Sequence, residues 1–415
     1  MRSQTWKSCL GVLCLMAAGT ANAAKISFSE KGFIDIGALV QAQYRIEQDA
    51  AGSGHDPSND FLLRRARIVL SGQFNDNIGF LIDTDVSYAT GPGTTPNVPA
   101  AGAAPGGASP TATGVYNGIY LLDAVAMYKV SKEFQLDAGL MLISGMNHNA
   151  LTSGAKYASV NNFTTYFSAN SQRATRDVGV AIRGLLLDDR LYYRLGVFNG
   201  VQTRATTTGT AANPGINPGD APRFAGTLRF NIAGKEDGYA FCQVCFAKSP
   251  IVSIGVGADY QTNSIRGSAP TGPNTNTPTG MTSFTNGFAD FFADIPFSDD
   301  LELSIDVAAN KIWAGTNTPQ SGLAIQGLAS MRFGVIGPYV QIEWFNSDAA
   351  YVGRGNAAGD LTTYRGGLSW YVYQHVYKIS AEIAFQNKEQ AGNTVDGQLI
   401  PPNHWVGTLQ FQASF

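Results

Sequence analysis

Long apolar runs are missing from this chain. Beyond residue 23 no stretch approaches the ~18 uninterrupted apolar residues that a membrane-crossing helix needs, so helical spans are excluded. Charge is scarce as well: 14% of the residues are Asp, Glu, Lys or Arg, against about 25% in an ordinary soluble protein. Lysine is rare, and the formal net charge is −3, a slight acidity that argues against nucleic acid as a partner. Catalytic signatures are absent too, with no GxSxG elbow, no HExxH and no GxxxxGK[ST] loop. Gly353-Arg-Gly355-Asn-Ala-Ala358 has the spacing of a dinucleotide fingerprint, but no strand-turn-helix pattern surrounds it. No enzyme and no cofactor is expected. The four histidines, His55, His148, His375 and His404, are scattered and read as solvent-facing polar residues.

Glycine (47) and aromatics (11%) are plentiful, and mean hydropathy is −0.05. Residues 1–23 read as a signal peptide: Arg2 and Lys7, then an apolar stretch from Cys9 to Ala18, then the small-residue site Ala21-Asn-Ala23. Cys14 follows Leu13 and not a small residue, which argues against a lipoprotein signal. An export signal with no later helical span permits a periplasmic protein, a secreted one or an outer-membrane barrel.

Period-two alternation then decides among these. In Ile78–Tyr88, Phe80, Ile82, Val86 and Tyr88 share one parity, while Asp83, Asp85 and Ser87 share the other. Leu301, Leu303, Ile305 and Val307 likewise oppose Glu302, Ser304 and Asp306. One face suits hydrocarbon and the other water, as in a lipid-facing barrel wall. Sixteen such segments are expected, near 33–46, 60–74, 78–89, 116–130, 134–145, 176–187, 191–201, 222–234, 251–263, 284–297, 301–313, 322–334, 337–347, 361–374, 376–388 and 404–415. The gaps alternate between tight turns, such as Asn75-Asp-Asn77 and Asp188-Asp-Arg190, and long segments rich in Gly, Pro, Thr, Asn and Ala. Short turns on one rim and long loops on the other define an all-β transmembrane antiparallel barrel in a single domain, 24–415. The last segment closes on Phe415, and a terminal aromatic there resembles the signal read by the outer-membrane barrel assembly machinery. Lipid and lipopolysaccharide are the expected surroundings of its outer face.

Only one connection on the short-turn rim is long, residues 235–250, and it holds Cys242 and Cys245. A zinc site would want further ligands, and haem attachment would want His where Phe246 stands. A local disulfide in an oxidising compartment is the plain reading, and one dispensable for the barrel's function. A redox role and free thiols stay open.

Parity sends many charges inward, which an apolar core could not hold but a water-filled lumen can. These are Arg65, Arg67, Asp83, Asp85, Asp123, Arg183, Arg194, Arg223, Arg229, Asp306, Arg332, Glu343, Arg365 and Glu382, with Arg64 pointing outward near the loop rim. The stretch Asn59-Asp-Phe-Leu-Leu-Arg-Arg-Ala-Arg-Ile-Val-Leu-Ser-Gly-Gln-Phe74, with Ile78-Gly-Phe-Leu-Ile-Asp-Thr-Asp-Val86, resembles the phosphate-selective porin O and P family. Gly32-Phe-Ile-Asp-Ile-Gly and Arg176-Asp-Val-Gly-Val-Ala-Ile-Arg-Gly184 extend the likeness.

The resemblance implies a homotrimeric sixteen-stranded porin whose third long loop, about 146–175, folds into the lumen. It also implies passage of small solutes, anions above all, guided by arginines. Lys156, Arg173 and Arg176 would then stand near the constriction. Arg65, Arg67, Arg173, Arg183 and Lys156 outnumber Asp83, Asp85 and Asp123 there, so mild anion preference is expected. The long loops nearly lack lysine, which departs from a dense basic track for phosphate. The competing reading is a structural sleeve around a periplasmic redox protein, docked through 235–250.

Overall fold

The computed structural model describes residues 24–50, 56–86, 119–161, 175–202, 206–208, 211–213, 217, 219–236, 238–270, 276–314, 321–348, 360–388, 392–393, 399–400 and 403–415. In chain order the strands of its main sheet begin with β1 (Ala24–Ser27), β2 (Phe33–Glu47), β3 (Ser58–Gln73), β4 (Ile78–Val86), β5 (Ile119–Lys129) and β6 (Gln135–Leu142). They continue with β7 (Arg176–Leu186), β8 (Leu191–Phe198), β9 (Arg223–Ala233), β10 (Ile251–Pro270), β11 (Asn276–Ser298) and β12 (Leu301–Trp313). The last five are β13 (Gly322–Phe333), β14 (Ile336–Ser347), β15 (Leu361–Tyr373), β16 (Tyr377–Lys388) and β17 (Asn403–Ser414).

Strands β2 to β17 pair antiparallel in sequence order, and β17 returns to β2 with Leu39 opposite Ser414 and Glu47 opposite Val406. The ring is closed. Closure leaves no edge, which hydrocarbon demands because an unpaired N–H or C=O finds no water there. β1 lies beside the start of β2, Ala24 opposite Ile36, and Phe415 exchanges backbone hydrogen bonds with Ala38 at 2.7 and 2.9 Å. Nothing in the period-two pattern pointed to β1.

The wall is inside-out relative to a soluble sheet. Along β14, Tyr339, Gln341, Glu343 and Phe345 are buried while Val340 and Ile342 stay exposed. Apolar side chains face outward to lipid and polar ones inward, as in other barrels of this kind. Two departures from the expected pattern have physical causes. β3 carries a bulge where Gln41 faces Arg65 but Ala42 faces Leu63, leaving Arg64 half-buried and not exposed at the outer rim. The bulge reverses parity, so Leu62 is buried on the same side as Arg65. The gap 264–283, read as a loop, instead continues the ladder of β10 and β11 as far as Pro270 opposite Asn276. An irregularity between Gln261 and Ile265 breaks the alternation there and hid the strand.

Candidate functional site

The site is the barrel interior, and two segments fill it. After Leu142 the chain leaves the wall, Ile143 N donating to Thr175 O at 3.1 Å. Asn147 caps the single-turn helix α1 (His148–Leu151), its Oδ1 accepting from Ala150 N at 3.0 Å. A backbone crossing the interior must find partners there, and the inward side chains provide them. Gln41 donates to Gly154 O and Gln412 to Ala155 O, both at 3.0 Å, and Lys378 donates to Tyr157 O at 2.6 Å. The Ser369 hydroxyl donates to Ala158 O at 2.9 Å, while Val160 N donates to the Tyr339 hydroxyl at 3.2 Å. Arg173 lies outside the described residues.

The second segment is the connection 234–250, which turns into the barrel from the opposite rim. Gly234 makes the turn: its φ is +60°, and a Cβ there would meet Pro250 O at 2.7 Å. Phe241 then forms a bridge with Thr152, its N donating to Leu151 O at 2.9 Å and its O accepting from Ser153 N at 3.0 Å. Gln243 N donates to Lys156 O at 3.1 Å. Cys242 and Cys245 are joined by a disulfide, and the next N–H groups reach the wall, Cys245 N to Asp294 at 3.2 Å and Phe246 N to Glu302 at 2.9 Å. His375 Nε2 lies 2.6 Å from Val244 O, and burial pushes that imidazole down to about 3, so it is neutral and donates.

Where the two segments meet, His148 is fully buried. Its Nε2 is 2.8 Å from Glu236 Oε1, its Nδ1 is 3.0 Å from Asp306 Oδ2, and its own N–H donates to Asp290 at 2.9 Å. The ring is stacked between Phe241 (5.3 Å) and Phe292 (3.9 Å). Burial opposes charge on the imidazole, yet Glu236 and Asp306 prevail and raise its pKa to about 9. His148, with Arg229 behind it, in turn holds Glu236 at about 2 despite burial. None of the four histidines was expected in such a place. No sequence period governs a loop, so only the inward parity of Asp306 and Arg229 hinted at this cluster.

The expected site residues divide into two groups. Arg65, Arg67, Asp83, Asp85, Asp123 and Arg176 come together beside the third loop. Arg67 Nε is 2.7 Å from Asp85 and its Nη1 is 3.6 Å from Asp83, while Arg176 is 3.3 Å from Asp123. Arg65 donates to Gln41 at 2.6 Å and lies 5.8 Å from the Tyr157 ring. Burial pushes the Tyr157 phenol up against the pull of Arg65, Arg67, Arg176 and Arg64. Lys156, on the same loop, is exposed. The other arginines stand apart, each held in the wall. Arg183 is 2.7 Å from Asp137, Arg223 is 2.6 Å from Asp259, and Arg229 is 2.8 Å from Asp290. Arg194 donates to Leu142 O at 2.8 Å.

No protein-family model matches this sequence, and no curated protein matches it. Solved structures do. OprB of Pseudomonas putida superposes with TM-score 0.57 at 10% identity, over 92% of this chain and 94% of that one. The anion-selective porin from Comamonas acidovorans gives 0.54 at 10% identity, over 93% and 100%. OmpT of Vibrio cholerae gives 0.52 at 11% identity, over 94% and 100%. Identity this low speaks to architecture alone, and the architecture agrees with the closed ring described above. The fold of this chain is the sixteen-stranded barrel of outer-membrane porins.

Proposed function

We propose that this chain is a passive channel of the bacterial outer membrane, exported with residues 1–23 as its signal, for small hydrophilic solutes with a mild preference for anions. The observation that carries the preference is the group of four guanidiniums, Arg64, Arg65, Arg67 and Arg176, around Tyr157 of the third loop, facing Asp83, Asp85 and Asp123. Fixed charges act on a passing ion only within about a Debye length, ~8 Å at physiological salt, so this local excess outweighs the acidity of the whole chain. Arg67 and Arg176 keep 14% and 22% of their side chains exposed, more than Arg183, Arg223 or Arg229, and so face what water remains in the lumen. Tight phosphate selection does not follow, because each of these two arginines is already paired with a carboxylate. Assembly as a homotrimer is part of the reading; a solved form of OmpT from Vibrio cholerae is described as a trimer. Crosslinking in mild detergent should give a three-chain limit.

Purified protein in a planar bilayer should give stepwise conductance, with a reversal potential under a salt gradient that favours chloride over potassium. Replacing Arg65 and Arg67 together by Ala should move that potential toward cation preference while the barrel still assembles. A reversal potential that stays put in the double variant means that these arginines do not line the selective zone. Burial of Phe241 and Val244 inside the barrel supports the channel over the sleeve, since among the described residues only the ends of the connection, at Gly234, Lys235 and 248–250, are exposed to a soluble partner.

A further inference from the structure

Every other connection on the turn rim is tight, such as 187–190, 299–300 and 334–335. The connection 234–250 is long, and its length is spent inside the barrel. Its residues 239–246 form a bar from wall to wall. At one end the Tyr239 hydroxyl donates to Asp123 of β5 at 2.7 Å and accepts from Leu142 N at 2.9 Å. At the other the Phe246 ring meets Tyr371 of β15 edge-on at 5.3 Å and His375 at 5.2 Å. Strands β5 and β15 stand on well-separated arcs of the ring, so the bar crosses the lumen.

Three observations show that the bar is seated and not merely near. The Phe241 bridge stitches it to the third loop, and the Glu236–His148 contact adds a buried charge pair at the same junction. The wall beneath it is dry: Arg229 and Asp294 are 0% exposed, and Glu302 and Asp306 are 1% exposed. Side chains of this kind lining an open aqueous lumen would be wet. Phe246 holds a φ of +50°, a left-handed conformation that an aromatic residue keeps only when its surroundings impose it. The disulfide one residue earlier and the Glu302 contact supply that constraint.

We propose that this disulfide-bonded connection is an internal plug which, latched to the third loop through Phe241 and Glu236, sets the conductance of the barrel from the turn rim. The proposal rests on the channel reading. Solute entering from the loop rim passes the arginines around Tyr157 and must then get past the bar. The plug therefore limits flux by area, while the arginines sort by charge. Its hold on the third loop is a short seam of three backbone hydrogen bonds at Phe241 and Gln243, a fourth from Ala158 N to Gln243 Oε1, and one ion pair, whereas its ends are covalent parts of β9 and β10. Loosening the seam would free the bar without opening the barrel wall.

The test is conductance with and without the bar. Excising residues 239–247 leaves Gly-Lys-Glu-Asp-Gly-Lys-Ser-Pro, a short connection of ordinary turn composition, between β9 and β10. Single-channel conductance in the same potassium chloride solution should rise several-fold over the intact protein, with the sign of the reversal potential unchanged. A second variant, Phe241→Ala, keeps the backbone bonds of the seam, the chain length and all the wall strands, but removes the ring that packs on His148, Tyr192 and Arg229 and so loosens the bar's seat. It should show larger and noisier openings. An intact protein that conducts, with both variants unchanged, would overturn the plug and leave the channel reading standing. Folded, heat-modifiable protein that conducts in neither the intact nor the excised form would overturn both. Should the excised form fail to fold, Phe241→Ala decides alone: higher conductance supports the plug, and unchanged conductance overturns it.

Discussion

At the scale of single residues, His148 is the group whose chemistry is best defined. Glu236, Asp306 and Asp290 face it, Gln243 shares Asp306 with it, Arg229 stands behind Glu236, and Phe241 and Phe292 cover its two faces. Three carboxylates against Arg229 leave room for one more positive charge, and the imidazolium supplies it. The folded pKa of about 9 lies above the ordinary 6.5, so this stabilisation is complete below about pH 6.5 and is lost as pH rises through 9. Glu236 works in the opposite sense. Held at about 2 against an ordinary 4.5, it contributes above 4.5 and loses its contribution as pH falls through 2. The pair is thus strongest between about 4.5 and 6.5 and still substantial at neutrality. We expect the heat-modification midpoint of the intact protein to exceed that of His148→Gln at pH 6 and to converge on it above pH 9. A gap that persists unchanged into alkali would mean that the charge on His148 plays no part. Strand parity placed Asp306 inward, but it could not place His148, because a loop residue has no alternation to read. Arg64 was misplaced for a related reason, since one extra residue in β3 reverses the parity on either side of it.

Among the elements, the strands were legible nearly to their ends, except where β10 and β11 run on into 264–283, and the segments inside the barrel were not. β12 was expected over 301–313, where it lies, and β14 and β15 fall within a residue of expectation. Lipid on one side and polar groups on the other impose period two on every wall strand. The connection 234–250 obeys no period, and its route inward depends on contacts from distant strands. Within the wall, paired charges hold neighbouring strands together. Arg183 on β7 and Asp137 on β6 are both buried, 2.7 Å apart. Removing one partner of a buried pair strands the other and costs about 3–5 kcal/mol. Asp137→Asn should therefore lower the unfolding midpoint clearly, while replacing both by apolar residues of similar size should recover much of the loss. If the single and double variants fall equally, the pair is not what joins β6 to β7. The disulfide is a different case. It closes only the short interval from Cys242 to Cys245, so it removes little chain entropy. Changing both cysteines to Ser should leave the barrel's unfolding midpoint in place, and a large drop would show that the bond supports the wall and not only the bend at Phe246.

For the whole molecule, the contacts that furnish the interior have an implication for the order of assembly. The third loop rests on side chains far away in sequence: Lys378 reaches Tyr157 across 221 positions, and Val160 reaches Glu382 across 222. Gln41 and Gln412, which grip Gly154 and Ala155, lie on the two strands that close the ring. The seat does not exist until the wall does. The loop and the plug must settle last, inside a ring already shut, and the nascent barrel passes through a hollow stage with a wider bore than the finished one. Interactions made after the rate-limiting step change how fast a protein comes apart and not how fast it forms. Phe241→Ala should insert into bilayers at the rate of the intact protein and differ only in how readily it later unfolds. A slowed insertion would place the interior ahead of the wall. In that hollow stage, a cell assembling this barrel has a transient leak that seals only as the interior packs.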